Sequence, residues 1–300
     1  MISNPLRVNS IKAVKLPWLS SPIDYSGQRV ALLTQHGKQV PLSEVLSQSL
    51  GCQLEHVTEY DTDQLGTFTR DVARSGSQLD AARAKARIGM AISGLPIGLA
   101  SEGSFGPDPY SFLLPYNLEL LVWIDDRLGI EVVATASGRT NFSHKTVNNW
   151  EEAECFAETA GFPQHYLIVR PSHQHHSEFR KGLSNWDSLR DAVNWALALS
   201  PDSLAFIETD MRAFANPTRM QNIRHAAEIL IQKLQSHCPA CGVPGFAKSG
   251  VIRGLPCENC GQPTEEAKAD IHRCVRCEHQ IMVNREQGFA SEGNCGYCNP

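Results

Sequence analysis

The sequence predicts an α/β protein with a mixed central sheet flanked by helices, followed by a C-terminal zinc-ribbon-like module binding two zinc ions. Three observations carry that reading. Short apolar runs alternate with helical periodicities through the first 236 residues. One pair of alternating segments flanks a tight polar turn, the mark of a hairpin within a mixed sheet. Four Cys-x-x-Cys pairs then crowd the last quarter of the chain.

The elements follow in order. Residues 1–27 contain Pro5, Pro17 and Pro22 and no continuous apolar stretch, so they read as an extended lead-in without a signal peptide. The α/β domain is expected over residues 28–236. It opens with a strand at Arg29–Thr34, a helix at Pro41–Leu50 with Leu42, Val45 and Leu46 on one face, and a strand at Leu54–Thr58. Ser77–Ser93 is the strongest helix, Ala-rich with Gly94 to stop it and Pro96 beyond. A strand at Ile97–Ala100 precedes the hairpin Leu118–Ile124 and Ile130–Ala136 around Asp125-Asp126-Arg127-Leu128-Gly129. Helices at Trp150–Ala160, Trp186–Leu199 and Thr218–Gln235 then alternate with strands at Tyr166–Val169 and Leu204–Ile207.

Composition sets the broad class. A hydrophobic share of 42% and a charged share of 20% suit a globular chain with a real core. No run approaches the roughly 18 apolar residues of a membrane span. The net charge of −5 gives no general pull toward nucleic acid or anionic membranes. Ten cysteines without a secretory leader point to a reducing, cytoplasmic compartment, where clustered thiols bind metal.

The module spans residues 237–300. Its ligands are Cys238, Cys241, Cys257, Cys260, Cys274, Cys277, Cys295 and Cys298. Each Cys-x-x-Cys turn spans one edge of a tetrahedron, so two turns complete one zinc site. Sequential, interleaved and nested pairings all leave workable loops; the nested one is slightly preferred, with the middle two knuckles forming a ribbon clasped by the outer two. Cys52 and Cys155 stand alone and read as buried thiols. The module has six Lys or Arg against seven Asp or Glu, and thiolate-bound zinc adds negative charge. Counterion release then has little to work with, so a structural or protein-docking role is expected over nucleic-acid binding.

Four polar clusters follow strands, where α/β domains place ligands. Thr34, His36 and Lys38 form a turn entering a helix and could meet phosphate with backbone N–H groups, a hydroxyl and an ammonium. Asp61 and Asp63 lie on a second turn. In the third, Glu102 and Asp108 could hold Mg²⁺ among glycines. The fourth sets Glu208 and Asp210 beside Arg212, with Asn216 and Arg219 beyond. The loop His173-Gln174-His175-His176 reads as solvated.

The full-length pattern, GLASEGSFGPDP with ETDMRAFANPTRM and the four-knuckle tail, resembles a bacterial family of unknown function. Residues 29–105 are also distantly similar to the inosine-triphosphate pyrophosphatase superfamily. Thr34, His36 and Lys38 match its Thr-x-Asn turn and Lys, with the Asn replaced; Asp80-Ala81-Ala82-Arg83-Ala84-Lys85-Ala86 matches its acidic, Ala-rich helix; Gly94-Leu95-Pro96 leads to Ser101-Glu102-Gly103. That resemblance implies Mg²⁺ between Asp80 and Glu102, with Asp63 or Asp108 assisting. It implies Lys38 and Lys85 on phosphates, and Thr34 anchoring one; Arg212 and Arg219 could close the site. The expected activity is metal-dependent hydrolysis of a nucleotide or other phosphorylated small molecule. The alternative is a non-catalytic sensor or scaffold whose zinc module docks a protein partner.

Overall fold

The computed structural model describes residues 23–62, 76–108 and 114–300. The chain divides into two compact units. Of the described residues, one unit comprises those within Tyr25–Ile124 and Val133–Leu230; the other comprises residues 23–24, Asp125–Val132 and Ile231–Pro300. Among the described residues, no helix is long and apolar enough to cross a membrane.

The larger unit contains two sheets. The first has strand order β2-β1-β3-β4-β5, from β1 (Arg29–Leu33), β2 (Gln53–Val57), β3 (Ile97–Pro107), β4 (Pro115–Asp125) and β5 (Ile130–Arg139). β1 runs parallel to both β2 and β3. Helices α1 (Gln39–Leu50) and α2 (Gln78–Ser93) are the crossovers such parallel pairs require. Ser77 and Asp80 form a reciprocal capping box at the start of α2, and Gly94 ends it in the left-handed conformation. Ala82, Ala86 and Met90 of α2 pack with Ala31, Leu33 and Val122 of the sheet. Small residues set that spacing: a Cβ on Gly89 would lie 3.2 Å from the Leu33 Cβ, and one on Gly98 only 2.6 Å from Met90.

The second sheet has order β6-β9-β7-β8, from β6 (His144–Val147), β7 (Leu167–Pro171), β8 (Arg180–Leu183) and β9 (Ala205–Thr209), all antiparallel. α3 (Trp150–Ala160) and α4 (Trp186–Leu199) cover one face through a core including Phe156, Leu167, Val169, Leu189, Val193 and Ile207. Asn149 and Asn185 cap these helices by accepting from Glu152 and Ser188 N–H groups. α5 (Pro217–Gln235) follows β9 after a short 3-10 turn at Ala213–Ala215. In the smaller unit β10 (Ala247–Arg253), β11 (Ala267–Arg273) and β12 (Gln280–Asn284) form an antiparallel meander.

Three expectations change. The strand expected to end at Ala100, before the polar cluster Ser101–Asp108, continues as far as Pro107. β7 and β9, expected in one central sheet, instead form a second sheet with the unforeseen β6 and β8. Cys155 is exposed on α3, whereas Cys52 is buried as expected. Residues 1–22 of the expected lead-in and Asp63 lie outside the described residues.

Candidate metal centres and a buried charge cluster

The four Cys-x-x-Cys turns occupy the ends of the β10–β11–β12 meander. The first precedes β10, the second follows it, the third follows β11 and the fourth follows β12. Antiparallel strands return the chain to the opposite end each time. The first and third knuckles therefore meet at one end, the second and fourth at the other. Cys238, Cys241, Cys274 and Cys277 form one group and Cys257, Cys260, Cys295 and Cys298 the other, with ligand atoms within 4.8 Å of one another. Facing sulfurs are 3.6 and 3.7 Å apart in the first group and 3.6 and 3.9 Å in the second.

Four sulfurs held about 2.3 Å from a zinc ion stand about 3.8 Å apart, whereas a disulfide would bring two to about 2.0 Å. Both groups thus fit a tetrahedral ion. The Arg276 and Cys277 N–H groups point at Cys274 Sγ, which favours its thiolate. Gly242 and Gly261, at φ of 75° and 72°, close two of the turns by donating to the carbonyls of Cys238 and Cys257. The pairing is interleaved, and the nested expectation is corrected. Nesting would join the second and third knuckles, but the seven residues of β11 hold them about 20 Å apart.

The larger unit carries a different constellation. β1 ends in a turn in which Gly37 has φ 74°, and Lys38 begins α1 with its side chain directed inward. Its ammonium donates to the Ser101 carbonyl at 2.5 Å. Lys85 of α2 pairs with Glu102 of β3. Arg219, in the first turn of α5, donates through Nε to Glu119 of β4 at 2.8 Å and through Nη1 to the Met211 carbonyl. Asn117 donates to the same Glu119 oxygen at 3.1 Å and accepts from Asn222. A Cβ on Gly103 would lie 2.5 Å from both Arg219 Nη2 and Glu119 Oε1, so the absence of a side chain there admits the pair.

Lys38, Glu102, Glu119 and Arg219 are all buried. Among the described residues, with Lys85 they bring three basic side chains to two carboxylates. Burial, with the Arg219 charge next, lowers the Lys38 pKa from 10.5 to about 7; Glu102 and Glu119 oppose that shift and Lys85 adds to it. Ser101 Oγ and Glu119 Oε2 are buried with no hydrogen-bond partner among the described residues.

The structure thus brings Lys38, Lys85, Glu102 and Arg219 together. Thr34 is buried in the same turn as Lys38, and the His36 carbonyl accepts from Phe214 N–H at 3.1 Å. Arg212 is held by Asp210 through paired hydrogen bonds. Asp80 is exposed and accepts from Ser77 in the capping box, and those hydrogen bonds lower its pKa. Glu102, Asp108, Glu208 and Asp210 do not converge as an Mg²⁺ site. Glu208 pairs with Arg170 at 3.2 Å, and Asp108 donates its N–H to Leu114. Among the described residues, the two cysteine groups are where three or more metal-ligating side chains meet. The rings of His173, His175 and His176 lie about 6 Å apart and form no such group.

Sequence reading missed Glu119, Asn117 and Asn222. A trace was present, because Glu119 stands inside the apolar run Leu118–Ile124, where a charge needs a buried partner.

Residues 85–300 match a family described as "Domain of unknown function (DUF6671)". That span contains the cysteine groups and every member of the charge cluster except Lys38, and it excludes most of the segment on which the pyrophosphatase resemblance rested. No curated protein and no solved structure matches the chain.

Proposed function

We propose that this chain, which belongs to the DUF6671 family of unknown function, binds a small phosphorylated molecule at the Lys38–Lys85–Glu102–Glu119–Arg219 cluster and holds two structural zinc ions in its cysteine groups. One observation carries the binding reading: Lys38, Lys85 and Arg219 gather with Glu102 and Glu119 in a buried cluster at the turn from β1 into α1. Burial penalises the charged form of Lys38, and an anion joining it would offset that penalty. Lys38 uses one N–H on Ser101, leaving two for a ligand oxygen.

Binding is favoured over metal-dependent hydrolysis. A divalent ion needs carboxylates to converge, yet Glu102 is committed to Lys85 and Asp210 to Arg212. The unit is therefore read as a sensor or carrier, and the cysteine module as its structural support.

Calorimetric titration of the full, zinc-loaded chain with pyrophosphate is the direct test. Saturable binding is expected, weakened at least tenfold by Lys38→Met. If pyrophosphate and a panel of phosphate esters all fail to bind, the reading is wrong. Release of inorganic phosphate on adding Mg²⁺, lost in Glu102→Gln, would restore the hydrolase reading.

A further inference from the structure

Apolar side chains stand exposed beside the turn that carries Lys38 inward. Phe214 is 47% exposed and Val40 62% exposed. Both flank Gly37: the Val40 N–H donates to the Gly37 carbonyl, and a Cβ on Gly37 would lie 3.1 Å from the Phe214 Cβ. Phe214 is not exposed by slack in a loop. Its neighbours Ala213 and Ala215 are fully buried, and its N–H is fixed to His36. One side of its ring carries the Arg212 guanidinium, 4.7 Å from the centroid, and Tyr166 meets it edge-on at 6.4 Å. Arg212 is itself locked by Asp210. An aromatic ring braced this firmly, yet open to solvent one residue-step from a cation cluster, is built as a platform.

We propose that the ligand of this site is a phosphate ester bearing a flat, apolar ring. The phosphate is received by the Lys38 end of the turn, and the ring lies on Phe214 beside Val40. This rests on the phosphate-binding reading above and narrows it to a ligand class. A phosphorylated sugar or polyol could use the cations but would leave Phe214 and Val40 wet.

The probes are 1-naphthyl phosphate and glycerol phosphate, titrated separately into the full, zinc-loaded chain. The quantity read is the ratio of their dissociation constants, which is insensitive to the fraction of folded protein. Stacking plus burial of the ring is expected to favour the naphthyl ester about tenfold or more, equivalent to about 1.4 kcal/mol. Phe214→Ala should bring the ratio close to one, and Phe214→Trp should keep it. Equal affinity of both esters in the parent chain would overturn this inference while leaving phosphate binding intact. So would a preference that survives Phe214→Ala. Failure of both esters and of pyrophosphate to bind would instead remove the phosphate reading itself.

Discussion

Lys38 is where stability and binding pull in opposite directions. In the unfolded chain a lysine keeps its proton up to about pH 10.4, whereas burial brings the folded value to about 7. Between those values the unfolded state holds more protons, so stability rises with pH across that window and the penalty is fully present below about 7. At about 1.4 kcal/mol per pH unit, the upper bound is roughly 5 kcal/mol. Lys38→Met should therefore raise the urea midpoint at pH 7 and flatten its rise toward pH 9.5, while losing pyrophosphate. Identical pH slopes in the two proteins would show that Lys38 does not titrate in this window. Gly103 is the complementary case. A methyl there meets Arg219 and Glu119 at 2.5 Å, and separating a buried pair with both partners still present should cost about 2–4 kcal/mol. Gly106, further along the same strand, has nothing within 4 Å of an added Cβ. Gly106→Ala should be close to neutral, and equal losses at both positions would reject the close-packing account.

Elements with local signals were legible, and those defined by distant partners were not. α2 could be read from Ser77, its alanines and Gly94, all of which act within the helix or next to it. The strands β1, β7 and β9 were visible as compact apolar runs, whereas their pairing was not. β6 and β8 have four residues each and are largely exposed, so no periodicity marked them. The extension of β3 was hidden because Gly and Ser are also turn formers; only pairing in the sheet makes them strand. The charge cluster was half legible. Lys38, Glu102 and Arg219 stood out in polar clusters after strands and Lys85 only through the pyrophosphatase resemblance, but Glu119 lies 100 residues from Arg219 and inside an apolar run. Asp80 caps α2, and a capping carboxylate and a metal-binding one look alike in sequence. That distinction is testable at the element scale: Asp80→Ala removes a cap and should cost about 1 kcal/mol, with pyrophosphate affinity unchanged. A loss of affinity beyond threefold would return Asp80 to the site.

On the scale of the whole molecule, the meander makes the two cysteine groups depend on each other. All eight ligands were legible, since Cys-x-x-Cys spacing is local; their pairing was not, since it depends on the direction of β10, β11 and β12. With interleaving, the first group closes the chain from Cys241 to Cys274 around the second knuckle, and the second closes Cys260 to Cys295 around the third. Forming either group shortens the free loop left for the other and so lowers its closure entropy. Elemental analysis of protein purified without added metal should give two zinc ions per chain. Removing them with a chelator should expose the amides of residues 237–300 to rapid hydrogen exchange, because the module has little apolar core of its own, while β1, β3 and β4 stay protected. Cys238→Ser should weaken the first group directly and also speed zinc loss from the second, which keeps all four of its ligands. If the second ion leaves at the same rate with or without Cys238, the groups fold independently and the coupling argument fails.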